Sequence, residues 1–143
     1  MKENYKNTCF KKIEEAEVYD VAIKSPLEFA KNLSKRLENK IFLKREDLQP
    51  IFSFKLRGAY NKIAKLIKAK KIKKLVAASA GNHAQGVALA AKKLAIKACI
   101  VMPKSTPEIK IEAVKSLKAE VILYGGSYDD AYDYALKKSK SAQ

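Results

Sequence analysis

From Leu75 to Ala135, short apolar runs alternate with stretches whose apolar residues recur at helical spacing. Leu75-Val76-Ala77-Ala78, Ala98-Cys99-Ile100-Val101-Met102 and Glu120-Val121-Ile122-Leu123-Tyr124 read as strands, the first a buried strand of a parallel sheet. Between them lie two helical patterns, one with its face at Ala84, Val87, Ala88, Ala91 and Leu94, the other at Ile109, Ala113 and Leu117. Thr106-Pro107-Glu108 predicts a helix start with Thr106 as N-cap, proline at the first position and an acid in the first turn. Gly125-Gly126 reads as a turn, after which Ser127, Asp129 and Asp130 open a last helix running through Ala135. The alternation predicts an α/β fold, a three-layer parallel sheet with flanking helices and right-handed crossovers. Such sheets bind ligands at the carboxyl ends of their strands.

Upstream the pattern is less regular. Residues 1–24 are charged, and Ile13, Ala16 and Glu17 allow a short helix. Ser25-Pro26-Leu27 follows, residues 28–39 stay open between helix and irregular structure, and Ile41-Phe42-Leu43 reads as a strand running into Lys44-Arg45-Glu46-Asp47. A helical face then begins at Leu56 and continues through Ala59, Tyr60, Ile63, Leu66 and Ile67, with Ser53 as the expected N-cap. Lys55 falls in the first turn, where the partial positive charge of the helix end disfavours a cation. Burial between Phe54 and Leu56 would favour the neutral amine, the form that condenses with a carbonyl. The plain alternative is one surface lysine among many. Gly58 sits early in this helix at a cost of about 1 kcal/mol against alanine, which predicts a close backbone approach there.

Ser79-Ala80-Gly81-Asn82 follows one strand and begins the next helix. Backbone N–H groups and the helix dipole favour an anion at such a place, and a substrate carboxylate is a natural occupant. Asn82 with Gln85 reads equally well as a capping box, and His83 as an ordinary core or surface histidine.

Composition narrows the function classes. The chain has 143 residues, enough for one modest domain, and no apolar run long enough to span a membrane. Its start, Met1-Lys2-Glu3-Asn4-Tyr5, lacks the apolar core of a signal peptide, so the cytoplasm is the expected location. Cys9 and Cys99 lie far apart and His83 is the single histidine, which argues for reduced thiols and against a metal site. The net charge of +15 raises the question of nucleic acid. Its densest run, Lys68, Lys70, Lys71, Lys73 and Lys74, contains no arginine or aromatic platform. It falls where a helix should end and complements the negative helix terminus, so no nucleic-acid role is expected.

Two runs carry a family resemblance. Leu43-Lys44-Arg45-Glu46-Asp47-Leu48-Gln49-Pro50 with Phe52-Ser53-Phe54-Lys55-Leu56-Arg57-Gly58-Ala59-Tyr60-Asn61 resembles the cofactor-lysine block of the threonine dehydratase family, within the fold-type-II pyridoxal-phosphate enzymes. Ala78-Ser79-Ala80-Gly81-Asn82-His83-Ala84-Gln85-Gly86-Val87-Ala88 resembles its second signature, and Ile100-Val101-Met102-Pro103 with Thr106-Pro107 a third. The resemblance covers about Ser25 to Ala135 and implies a tryptophan synthase β-like fold. By it, residues 1–60 would belong to a large cofactor domain and 61–143 to a small α/β domain. It implies that Lys55 binds pyridoxal 5'-phosphate and acts as catalytic base, Phe54 walls the cofactor ring and Asn82 contacts its phenolic oxygen. Ser79, Ala80, Gly81 and His83 would hold the substrate carboxylate, and the Ser25-Pro26-Leu27 segment would form part of the wall.

Glu38-Asn39, Leu94-Ala95 and Leu117-Lys118 stand where relatives tend to have Leu-Gly, whose glycine serves a left-handed helix cap. The family's glycine-rich phosphate loop and its partner for the pyridine nitrogen would follow Gln143. The expectation is therefore the truncated, N-terminal portion of an enzyme that would deaminate L-threonine to 2-oxobutanoate and ammonia, in isoleucine synthesis or threonine catabolism. The 143 residues alone would turn over little threonine, and the full-length form would be a homo-oligomer. The rivals are serine dehydratase or serine racemase of the same fold, and a non-catalytic fragment.

Overall fold

The computed structural model describes residues 2–70 and 72–140; Lys71 of the basic run lies outside the described residues. Helix α1 (Lys2–Glu14) is followed by a 3-10 turn at Val18–Asp20. A two-stranded antiparallel sheet pairs β1 (Leu27–Phe29) with β2 (Phe42–Lys44), and α2 (Lys31–Arg36) lies between them in sequence. The stretch left open over 28–39 is thus strand end plus short helix. Phe29 and Phe42 face each other across the pair with ring centroids 5.3 Å apart.

After a 3-10 turn at Glu46–Leu48 comes the longest helix, α3 (Lys55–Ala69). Then strand and helix alternate as β3 (Lys74–Ala78), α4 (Asn82–Lys93), β4 (Lys97–Met102), α5 (Glu108–Lys115), β5 (Glu120–Leu123) and α6 (Tyr128–Lys140). The three strands run parallel in the order β3-β4-β5, with Ala77 opposite Ile100 and Ile100 opposite Val121. The expected parallel α/β sheet is present.

Alternation along β4 sets the layers, because successive side chains of a strand point to opposite faces. Ala98, Ile100 and Met102 pack with α3, α4 and α5 residues such as Tyr60, Ile63, Val87, Ala91 and Val114. Val101 faces the other way, against Ala131 and Ala135 of α6. Ile100, Val101 and Met102 have no measurable exposure, so β4 is the spine of a helix–sheet–helix sandwich. Alanines dominate the α4 face at Ala84, Ala88, Ala90 and Ala91, which lets α3 lie close upon it.

Four residues other than glycine adopt positive φ among the described residues: Glu38 (49°), Phe52 (53°), Ala95 (54°) and Lys118 (64°). Ala95 and Lys118 are the second residues of two junctions expected to need a left-handed cap. At the first junction the left-handed residue is Glu38, one position earlier than the Asn39 that would stand in for glycine.

Two local expectations are corrected. The helix at Thr106-Pro107-Glu108 is capped at Pro107, because the Thr106 hydroxyl donates to the Pro103 carbonyl at 2.7 Å and turns away from the helix. Within α5, Ile111 and Val114 are buried while Ile109 is 79% exposed. No close approach occurs at Gly58, where an added Cβ would meet open space. Residues 60 and 61 both lie within α3, whose Ala59, Tyr60, Ile63 and Ala64 share one core.

Candidate functional site

Ser53 precedes α3 by two positions. The cap residue is Phe54, and the backbone N–H of Lys55 donates to Ser53 Oγ at 3.3 Å. Lys55 is consequently the first residue of the helix. Its Nζ lies 4.7 Å from the centroid of the Phe54 ring, so the amine and an aromatic wall stand side by side. Lys55 is exposed and Phe54 is 56% exposed; the burial that would favour a neutral amine is not supplied by the described residues.

The second predicted segment is brought to the same place by a glycine. Gly86 in α4 has no side chain, and a Cβ built there would stand 3.1 Å from the Lys55 carbonyl oxygen and 3.2 Å from its carbon. A side chain there would press on the start of α3, whose backbone would have to give by a few tenths of an ångström. Asn82 lies one helical turn before Gly86, and residues four apart share a face, so Asn82 and the backbone of Lys55 stand on the same side of α4. The close approach expected at Gly58 is found here instead.

Asn82 is the first residue of α4 and Gly81 its cap, with no side-chain cap bond, so the Asn82–Gln85 capping box does not form. The Gly81 N–H donates to Ser79 Oγ at 3.3 Å and the Ser79 N–H to the Val101 carbonyl at 3.1 Å. The Ser79–Gly81 loop is thereby fixed at the carboxyl end of β3 and leads into helix amides that have no acceptor within α4. Asn82 and His83 are exposed, whereas Ser79, Ala80 and Gly81 are half-buried. His83 also lines an apolar groove of about 210 Å³ with Gly58, Lys62, Ile63, Val76 and Val87.

A polar cluster not anticipated from the sequence stands behind Lys55. Arg57 donates to Glu46 through Nε at 2.8 Å and Nη2 at 3.0 Å, and to the Ile23 carbonyl at 3.2 Å. Ser25 Oγ donates to the same carboxylate at 2.6 Å and Gln49 Nε2 at 3.2 Å. Gln49, only 1% exposed, also bridges the Ile23 backbone N–H and carbonyl, each at 2.9 Å. Lys44 donates to the Ser25 carbonyl. The Arg57 bonds hold the Glu46 carboxyl down at about 2, against the opposing effect of partial burial. One signal could have revealed this: the first turn of α3 carries Lys55 and Arg57 and no acid. A helix start with two cations calls for a carboxylate from elsewhere.

A primary amine on a helix start, an aromatic ring beside it, and an adjacent strand-to-helix loop of backbone donors suit an aldehyde cofactor and an amino-acid carboxylate. The residues present fit pyridoxal phosphate in that respect. The sequence profile described as "Pyridoxal-phosphate dependent enzyme" matches residues 18–142, and the chain belongs to that family. Within it, the chain is similar to threonine dehydratases. It is 61% identical over 118 residues to the biosynthetic chloroplastic threonine dehydratase of Arabidopsis thaliana, covering 82% of this chain and 20% of that protein. It is 55% identical over 130 residues to the biosynthetic L-threonine dehydratase of Burkholderia multivorans, covering 89% and 26%. Among solved structures, the processed form of threonine deaminase isoform 2 from Solanum lycopersicum superposes with a TM-score of 0.85 at 53% identity, covering 91% of this chain and 36% of that one. Maize serine racemase superposes with a TM-score of 0.84 at 33% identity, covering 92% and 40%. The chain thus spans a fifth to about a quarter of the length of these dehydratases. The fold-type-II α/β expectation is borne out. Among the described residues there is no metal-binding cluster of His, Cys, Asp or Glu and no helix long and apolar enough to cross a membrane.

Proposed function

We propose that the chain carries the lysine-bearing part of a pyridoxal-phosphate-dependent threonine dehydratase, which deaminates L-threonine to 2-oxobutanoate and ammonia. The observation that carries the reading is the Gly86 contact, which sets the Lys55 backbone on α4 one turn from Asn82. Identity of 55–61% to threonine dehydratases supports the choice of substrate. Lys55 binds the cofactor, and its Nζ takes the Cα proton of the amino acid. When bound, the cofactor supplies an electron sink for the charge left at that carbon. Phe54 walls the cofactor ring, Asn82 donates to its ring oxygen, and the backbone of Ser79, Ala80, Gly81 and His83 holds the substrate carboxylate.

The same reading assigns residues up to about 60 to a large cofactor domain and the rest to a small α/β domain. Work in the cytoplasm, in isoleucine synthesis or threonine breakdown, and assembly as a homo-oligomer belong to it too. Serine dehydratase or serine racemase is the second reading, favoured by the superposition on maize serine racemase; 2-oxobutanoate from threonine against pyruvate or D-serine from L-serine separates the two.

The site is tested by adding pyridoxal 5'-phosphate, reducing with borohydride and mapping the adduct by mass spectrometry. Label concentrated on Lys55 is expected, and label scattered over other lysines with none at position 55 sinks the assignment.

A further inference from the structure

We infer that Glu46 is a positioning residue for Lys55: by gripping Arg57 and Ser25 at once, its carboxylate orients the first turn of α3 against the 23–26 segment. The inference rests on the reading of Lys55 as the cofactor lysine.

Glu46 leaves β2 in a single 3-10 turn. Its Oε1 accepts from Ser25 Oγ, Arg57 Nη2 and Gln49 Nε2, and its Oε2 from Arg57 Nε. The Arg57 and Glu46 side chains are 23% and 19% exposed, so solvent screens the pair less than a surface ion pair. The guanidinium is further fixed by the Ile23 carbonyl and lies 5.3 Å from the Tyr19 ring centroid. Arg57 is two residues past Lys55, in the same helical turn. That turn is therefore held from two sides: Gly86 seats its backbone on α4, and Glu46 draws its third residue toward Ser25. Rotation of α3 about its own axis would redirect the Lys55 side chain, and the bidentate grip on Arg57 opposes that rotation. Among the described residues the Glu46 carboxylate bonds Ser25, Gln49 and Arg57, so it acts on orientation and not on chemistry.

The test compares the full chain with Glu46→Gln, Glu46→Asp and Arg57→Lys variants. Each is labelled with pyridoxal 5'-phosphate and borohydride, and label at Lys55 is expressed relative to the summed label on other lysines. Glu46→Gln keeps shape but loses charge, and Arg57→Lys keeps charge but loses the planar fork. The relative label at Lys55 is expected to fall roughly tenfold in Glu46→Gln, the scale of a modest misorientation, less in Arg57→Lys, and to be partly rescued in Glu46→Asp. Adding Ala95→Gly, just past the far end of α4, should raise the melting temperature of Glu46→Gln without raising the label. Undiminished label in folded Glu46→Gln or Arg57→Lys, or label that returns in step with melting temperature, overturns the inference. Should Glu46→Gln fail to fold, Arg57→Lys and Glu46→Asp decide on the same readout. A wild-type chain with no preference for Lys55 overturns the cofactor-lysine reading itself, a distinct result.

Discussion

Ala95 and Lys118 hold left-handed backbone at φ 54° and 64° where glycine would do so without strain. An L-residue there costs about 1–2 kcal/mol, part of which glycine gives back as unfolded-state entropy. Ala95→Gly and Lys118→Gly are each expected to stabilise the chain by about 0.5–1 kcal/mol, read as a higher melting temperature. Glu46 makes the opposite kind of contribution, one that depends on pH. Its folded carboxyl titrates at about 2 against 4.5 ordinarily. Because the folded value is the lower, the stabilisation is complete above about pH 4.5 and is lost as pH falls toward 2. Its upper bound is about 3 kcal/mol, and the acid limb of an unfolding-versus-pH curve should flatten in Glu46→Gln. Lys55, Asn82 and the Ser79–Gly81 loop could be picked out in the sequence because each sits at a boundary between periodic patterns. Glu46, Gln49 and Arg57 could not, since their partners Ile23 and Ser25 are more than twenty residues away and no local spacing links them.

The strands and helices from β3 to α6 could be read from the chain because burial on both sheet faces leaves continuous apolar runs, and helix faces leave regular spacing. The phase of α5 could not. In a helix of eight residues, Ile109-Ala113 and Ile111-Val114 are equally good stripes. The choice is made by tertiary packing, since Ile111 and Val114 join the core with Val87 and Met102. The start of α6 was clearer, and its cap is reciprocal. Asp130 Oδ2 accepts from the Gly126 and Ser127 N–H groups at 2.9 and 3.0 Å, while Ser127 Oγ accepts from the Asp130 N–H at 3.1 Å. These backbone bonds hold the Asp130 carboxyl below its ordinary range. Gly125 completes the turn at φ 68°, with an added Cβ only 2.1 Å from Asp130 Cβ. Asp130→Ala is expected to lower the unfolding midpoint by removing one half of this reciprocal cap, measured by denaturant unfolding.

A net charge of +15 on 143 residues sets a repulsion that compact folding must overcome. Part of it is met locally: Lys68 pairs with Glu17 at 2.6 Å and Lys74 with Glu120 at 3.3 Å. These pairs are exposed, and each is worth less than about 1 kcal/mol. Screening of the unpaired surplus should outweigh the weakening of those few pairs. The melting temperature is therefore expected to rise between 10 mM and 300 mM sodium chloride by differential scanning fluorimetry, and a fall would mean that paired charges dominate.

The place of Cys99 on β4 has a practical consequence. Its sulfur is wholly shielded at the centre of the sandwich, and burial, aided by Glu120, pushes the thiol's ionisation upward. A maleimide or disulfide reagent can reach it only when the middle strand comes loose, whereas Cys9 is partly accessible from the start. The slow blocking of one thiol against the fast blocking of the other is thus a built-in gauge of how often the native chain opens.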